Sequence, residues 1–223
     1  SEPQVLNRRA IGESEAMAAA YRNALAGAGI EAEQIGAVDL YSCFPIAVWV
    51  AMDALGMTLD DPRPRPLTGG LPFFGGPGNN YSTHGIAEMV HWLRAQPEPA
   101  YGIVGANGGY LSKHAVGVYA NMPAAFPEAV REFKAPEVVE VVSDPEPDGV
   151  IESYTFQPQK GGARAVVVGR QLSDGRRWVG VAVPEDAELL EWLDSADPLG
   201  DQVVVSTGER NFVRRRPNEQ ILI

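Results

Sequence analysis

The stretch MPAAFPEAVREFKAP, residues 122–136, carries three prolines and separates two hydrophobic patterns that belong to different kinds of fold. Ahead of it, helical runs alternate with short apolar strands; behind it, short strands follow one another with turn residues between them. A proline-rich break between two such patterns marks a domain boundary. The expected organisation is an α/β half over residues 1–123, a linker over 124–137 and a small β-barrel over 138–223.

In the first half, GESEAMAAAYRNALAGAGI has Ser14 placed to cap a helix, with Gly27 and Gly29 placed to stop it. AVDLYS reads as a short buried strand. FPIAVWVAMDALGM reads as an apolar helix with Pro45 tolerated in its first turn. LDDPRPRPLTGG must be a loop, STHGIAEMVHWLRAQ predicts another helix, and AYGIVGAN and AVGVYAN predict strands joined by a glycine turn. Three strands with helices apolar on most sides make an incomplete layered sheet, so this half implies a missing partner surface.

Beyond the break, EVVEVVS, GVIESYTFQ, ARAVVVGRQL, RWVGVAVP and DQVVVSTG predict five strands, with Asp174-Gly175 turning a hairpin. One helix, EDAELLEWLDSA, interrupts them. Five short strands and a helix in about 80 residues fit a closed barrel, most simply an OB-like one.

The formal net charge of −11 and pI near 4.7 argue against nucleic acid, which needs a basic face. The one dense basic run, RNFVRRRP, reads as an arginine-rich strand end or tail. No apolar run approaches the roughly 20 residues of a membrane span, and SEPQVLNRRAIGESEAMAAAY lacks a signal-peptide core. A cytoplasmic protein is expected. The single cysteine, Cys43, excludes an internal disulfide and a cysteine-cluster metal site. No His/Asp/Glu spacing resembles a metal site, and neither GxGxxG nor GxxxxGK[ST] occurs.

Three segments are placed for chemistry at strand ends: DLYSCFP at 39–45, LPFFGGPGNNYSTHG at 71–85, and GANGGYLSKHAVGVY at 105–119. The second is a glycine-rich loop opening a helix, the arrangement that holds anions. Cys43 reads as a small buried hydrophobe and His91, at mid-helix, as structural. His84, in a first helical turn, and His114, beside a glycine turn, either face a ligand or pack.

The order and spacing of these segments resemble the C-terminal half of a thiolase. SEAMAAAYRNALAGAGIEAEQIGAVDLYSCFP resembles the passage ending in an NEAF-type motif, or HDCF in the sterol-carrier-protein type. TGGLPFFGGPGNNYSTHGIAEMV resembles the GG…GHPxGxxG loop and its helix, and YGIVGANGGYLSKHAVGVY the CxGGG-type turn. The resemblance covers residues 10 to about 120. The barrel resembles the additional C-terminal domain of mycobacterial-type thiolase-like proteins, often labelled acetyl-CoA acetyltransferases of lipid metabolism.

This resemblance implies a coenzyme A thioester as substrate or ligand, with no separate cofactor and no metal. It also implies an N-terminal thiolase half, on the same polypeptide or another chain, and a possible homodimer. The nucleophilic cysteine of the family belongs to that other half. At the corresponding positions here, Gly76 replaces the GHP histidine, Ala106 the CxGGG cysteine, and Tyr41, followed by Ser42, the NEAF asparagine or HDCF histidine. Glycine and alanine carry no titratable group, and loss of one general base alone removes a factor of about 10²–10⁴. The chain alone is therefore expected to be inactive as a thiolase.

Gly75, Gly76, Asn79, Asn80, Tyr81, Asn107, Gly108 and Gly109 are expected to contact the acyl thioester, the two loops converging on one pocket. Tyr41, His84 and His114 are the remaining catalytic candidates. Two other readings compete: a non-catalytic assembly module recruiting a subunit through its barrel, or retro-aldol cleavage of a CoA-linked side chain with Tyr41 or His114 as base.

Overall fold

The computed structural model describes residues 4–63, 65–123, 136–160, 162–182 and 185–216. Their contacts divide the chain into two compact units, Ser1–Glu137 and Val138–Ile223. Most of the expected linker, with its one turn of possible helix, lies outside the described residues.

The first unit is a mixed α/β sheet. Strand β1 (Ile35–Asp39) pairs in parallel with β2 (Tyr101–Gly108), which pairs antiparallel with β3 (Lys113–Ala120), giving the order β1-β2-β3. Helix α1 (Glu15–Ala28) begins where Ser14 Oγ accepts the Met17 N–H at 3.2 Å. It ends at Gly29, whose left-handed φ of 67° lets its N–H reach back to Leu25 and Ala26. Gly27, expected to share in stopping the helix, lies inside it.

Helices α2 (Pro45–Ala54), the single turn α3 (Leu71–Phe74) and α4 (Tyr81–Arg94) complete the unit. Alternation along the strands sends the two sheet faces to different partners. Met17 and Tyr21 of α1 and Val50 and Ala51 of α2 share one core with Ile35, Val38 and Ile103. Met89 and Leu93 of α4 cover Ala37 and Val104 on the opposite face. Helix α2 is apolar on both sides. Ala47, Val50, Ala51 and Met52 are buried, while Phe44, Ile46 and Trp49 are 67%, 44% and 53% exposed. Such a helix belongs in a layer covered twice.

The second unit is a closed five-stranded barrel. Its strands are β4 (Asp148–Gln159), β5 (Gly162–Gln171), β6 (Arg177–Ala182), β7 (Gln202–Ser206) and β8 (Phe212–Arg215), with helix α5 (Ala187–Ser195) between β6 and β7. They close in the order β4-β5-β6-β8-β7, with β6 and β8 parallel and the other pairs antiparallel. This is the OB-like arrangement. Leu189 and Leu193 of α5 pack with Ile151, Val167, Trp178, Val203 and Val213 in its core. The β5–β6 turn falls at Asp174-Gly175 as expected, with Gly175 at φ 71° and Asp174 Oδ1 accepting the Arg176 N–H at 3.0 Å.

Two strand assignments are corrected. EVVEVVS forms no strand; it makes an isolated bridge, Val141 to Arg177, with main-chain bonds on either side. Pro136, Pro145 and Pro147 flank it, and each proline removes a ladder donor. The fifth barrel strand is instead β8, taken from RNFVRRRP. Only Val213 of β8 is buried, and Arg215 lies over the Trp192 ring at 5.1 Å. A four-residue strand with one inward residue and an arginine-written outer face shows almost no alternation.

A buried charge group ties three strands together. Arg177 of β6, fully buried, donates to both Glu152 oxygens at 2.6 and 2.7 Å, and Arg170 of β5 donates to the same carboxylate at 2.9 Å. Burial pushes the Glu152 carboxyl up, but the two guanidinium groups prevail and hold it below the ordinary range.

Two stability outcomes follow. Gly169→Ala sets a Cβ into the Trp178 ring and 2.5 Å from the Val150 carbonyl oxygen. It is expected to cost about 1–3 kcal/mol, read as a lower urea midpoint by tryptophan fluorescence; an unchanged midpoint refutes this packing. Ser14→Ala removes the cap of α1 and is expected to cost about 1 kcal/mol, with Ser14→Thr recovering most of it.

Candidate functional site

Because β1 and β2 run parallel, with Asp39 opposite Val104, the segments that follow them leave the sheet at the same edge. The first turns of α4 pack there too: a Cβ on Gly85 would overlap Asp39 Oδ2 and lie 3.3 Å from Val104 Cγ1. Open sheets bind ligands at such carboxyl edges.

A buried polar chain fixes this edge. Asp39, with no exposed surface, accepts at Oδ1 from the Thr68 N–H at 3.0 Å and the Thr68 hydroxyl at 2.9 Å. Thr68 Oγ1 also lies 2.6 Å from the Tyr81 hydroxyl and accepts from the Gly70 N–H at 3.2 Å. Ser42 Oγ accepts from the Leu71 N–H at 3.0 Å. Tyr81 is buried, and the Tyr41 and Phe74 rings meet it edge-on with centroids 5.3 and 6.4 Å away. Burial pushes both the Asp39 carboxyl and the Tyr81 phenol up.

On that framework the glycine-rich loop stands out to solvent. Gly75, Gly76, Gly78, Asn79 and Asn80 are exposed, and Gly75 takes a φ of 105°. Asn80 Nδ2 lies 3.2 Å from His84 Nε2, and the half-buried His84 ring meets Phe74 at 5.3 Å. Tyr81 therefore lies beneath the loop and supports it, with no surface offered to a ligand.

A second group forms on the other face. Asn107 and His114 pair across β2 and β3, and Asn107 Oδ1 lies 3.0 Å from His114 Nδ1. His114 Nε2 is 3.2 Å from Ser14 Oγ and 3.1 Å from the Leu111 carbonyl oxygen. The intervening turn places Gly109 at φ 61° and Leu111 at φ 52°. Buried Arg8 braces it by donating to the carbonyls of Tyr110 at 2.8 Å and Leu111 at 2.6 Å. A half-open cavity of about 460 Å³ lies alongside, floored by Ala16, Ala19 and Ala20 and walled by Ser112, Lys113 and His114.

The structure thus joins Asn80 to His84 and Asn107 to His114 as two hydrogen-bonded pairs. Val104 faces α4, while Gly105 lies against Tyr21 of α1, so Asn107 shares the α1 side. The Asn107 pair thus packs with α1 and the Asn80 pair with the start of α4. Gly108 and Gly109 shape the turn between them. Gly76 is exposed and Ala106 sits opposite Ala115 on β3, neither with a titratable group.

Cys43 corrects another expectation. It is half-buried in the turn between β1 and α2, because the chain has already left the sheet at Leu40. His91 is exposed in the last turn of α4. Asp39, Thr68 and Arg8 are the polar residues that sequence reasoning missed. The available signal was an aspartate closing an otherwise apolar strand in AVDL, where a carboxylate needs a partner.

Among the described residues, no group of three His, Cys, Asp or Glu side chains is placed to hold a metal. No helix among them is long and apolar enough to cross a membrane.

Residues 126–210 match the family model described as the thiolase-like protein type 1 additional C-terminal domain. Among solved structures, a monomeric SCP2-thiolase-like protein type 1 from Mycobacterium smegmatis superposes with a TM-score of 0.83 at 40% identity. That match covers 96% of this chain and 48% of the neighbour, so the chain spans about half the neighbour's length. No curated protein matches the sequence. The mixed sheet, the closed barrel and these two matches support a thiolase-like protein with an additional C-terminal domain.

Proposed function

We propose that this chain is the C-terminal portion of an acyl-thioester-binding protein and that alone it carries out no thiolysis. The observation that supports this is the chemistry of the carboxyl edge. The positions aligned with the family's acid and base hold Gly76 and Ala106, while the surrounding glycine framework and its neutral donors remain. The exposed backbone at Gly76 and Gly78, with Asn79 and Asn80, offers hydrogen bonds to a thioester oxygen without a titrating base. The ligand proposed is a coenzyme A thioester in a cytoplasmic setting.

The exposed Phe44, Ile46 and Trp49 of α2 are the surface that an N-terminal thiolase half would cover. The neighbour of twice the length is titled monomeric, which favours that half on the same polypeptide over a second copy. Of the titratable candidates, His114 has both ring nitrogens held within the protein, by Asn107 and Ser14, which fits a positioning role better than that of a base. The absence of acid and base side chains also favours a second reading, a scaffold module with no ligand.

Calorimetry on the full-length protein separates the two. Saturable heat with acetyl-CoA is expected, and Asn80→Ala is expected to weaken binding about 2–10-fold, one hydrogen bond's worth. The absence of heat moves the reading to the scaffold. The purified chain is expected to cleave acetoacetyl-CoA no faster than buffer. Turnover that disappears in Cys43→Ser would overturn the inactivity.

A further inference from the structure

The Asp39 carboxyl is unusual in this chain because its two oxygens have opposite surroundings. Oδ1 takes both donors that Thr68 offers, at 3.0 and 2.9 Å. Oδ2 is buried with no hydrogen-bond partner, closed off by the α4 backbone at Gly85, where even a methyl group would not fit. The ionisable groups set around it are Tyr21 on α1 and Tyr81 and Glu88 on α4. None is a cation, and Glu88 adds negative charge. An anion in this place has one oxygen sealed from bulk solvent and no counter-charge among these groups.

What the carboxyl holds is the start of the glycine-rich loop. The Leu67 N–H bonds the Val38 carbonyl at 2.9 Å, Thr68 bonds Asp39, and Gly70 bonds Thr68. Tyr81 closes the far end of the same loop on the Thr68 hydroxyl. Relief for an ionised Oδ2 requires water, and water enters only if Thr68 or the first turns of α4 move away from the sheet edge.

We propose that Asp39 is a protonation-dependent latch: its neutral form holds the segment from Thr68 to Asn80 against the edge of β1, and its ionised form releases that segment. Burial, with Glu88 adding to it, outweighs the Thr68 and Leu67 donors that favour the charged form and raises the carboxyl above the ordinary aspartate range, so the closed form binds the proton more tightly than the open form. The latch is therefore fully closed below about pH 4 and is lost as pH rises through the raised value. The device acts on the loop with or without a ligand, so it stands apart from the acyl-thioester reading.

Hydrogen exchange by NMR, with intrinsic rates divided out, tests this on the chain without ligand. The Thr68, Gly70 and Leu71 amides, bonded to Asp39, Thr68 and Ser42, are expected to lose protection by up to about tenfold per pH unit from about pH 4 until the raised Asp39 value is passed, and to level off above it. The Ala18 amide, bonded to Ser14 O inside α1, is expected to stay constant. In Asp39→Asn the loop amides are expected to show no pH dependence. Wild-type protection that is flat from pH 4 to 8, or the same fall in Asp39→Asn, overturns the latch. If that variant fails to fold, the Asp39 ¹³Cγ titration in wild type decides. A midpoint coinciding with the loss of protection supports the latch, and a midpoint elsewhere or in the ordinary range overturns it.

Discussion

Where β1 ends, the carboxyl group of Asp39 has been placed in a site closed to bulk solvent, and Thr68 supplies it with donors. Thr68 gives Asp39 both its amide and its hydroxyl, and the same hydroxyl carries the Tyr81 phenol and the Gly70 amide. Remove that bonding and the Tyr81 phenol, at the start of α4, loses its link through Thr68 to the strand end. A buried polar group left without its partner costs more than the bond itself contributes. The position of the glycine-rich loop is thus set from beneath, by residues that no ligand would touch.

The two units solve the problem of apolar surface differently. The barrel closes on itself, so none of its strands is left as an unpaired edge, and α5 supplies Leu189 and Leu193 to its core. The α/β unit leaves α2 with one covered and one bare apolar side. Its carboxyl edge carries hydrogen-bonding groups on both faces but no acid or base at Gly76 or Ala106.

Local elements were readable wherever a single residue type dictates the backbone. Ser14 and Gly29 bracket α1, Pro45 opens α2, and Asp174-Gly175 turns the β5–β6 hairpin. Reading failed where the local signal was weak. EVVEVVS has strand-forming residues, yet it meets β6 only at Arg177, while Val213 alone marks β8 as inward-facing. Cys43 looked buried because its apolar neighbours are read as a run, whereas the chain turns there and exposes one side.

The mixed α/β half, the five-stranded barrel and the break between them follow from hydrophobic period and turn chemistry, which are properties of near neighbours in sequence. The family resemblance rests on three motifs in order, and it too is linear information. Which residues meet at the carboxyl edge is not linear. Asp39 finds Thr68 across 29 residues, Asn107 finds His114 through the β2–β3 register, and Arg8 reaches Tyr110 and Leu111 across more than 100. Strand alternation then turns the Asn107 and His114 side chains toward α1. Those placements are fixed by long-range pairing and by the need to satisfy buried polar atoms, which only the folded chain can do.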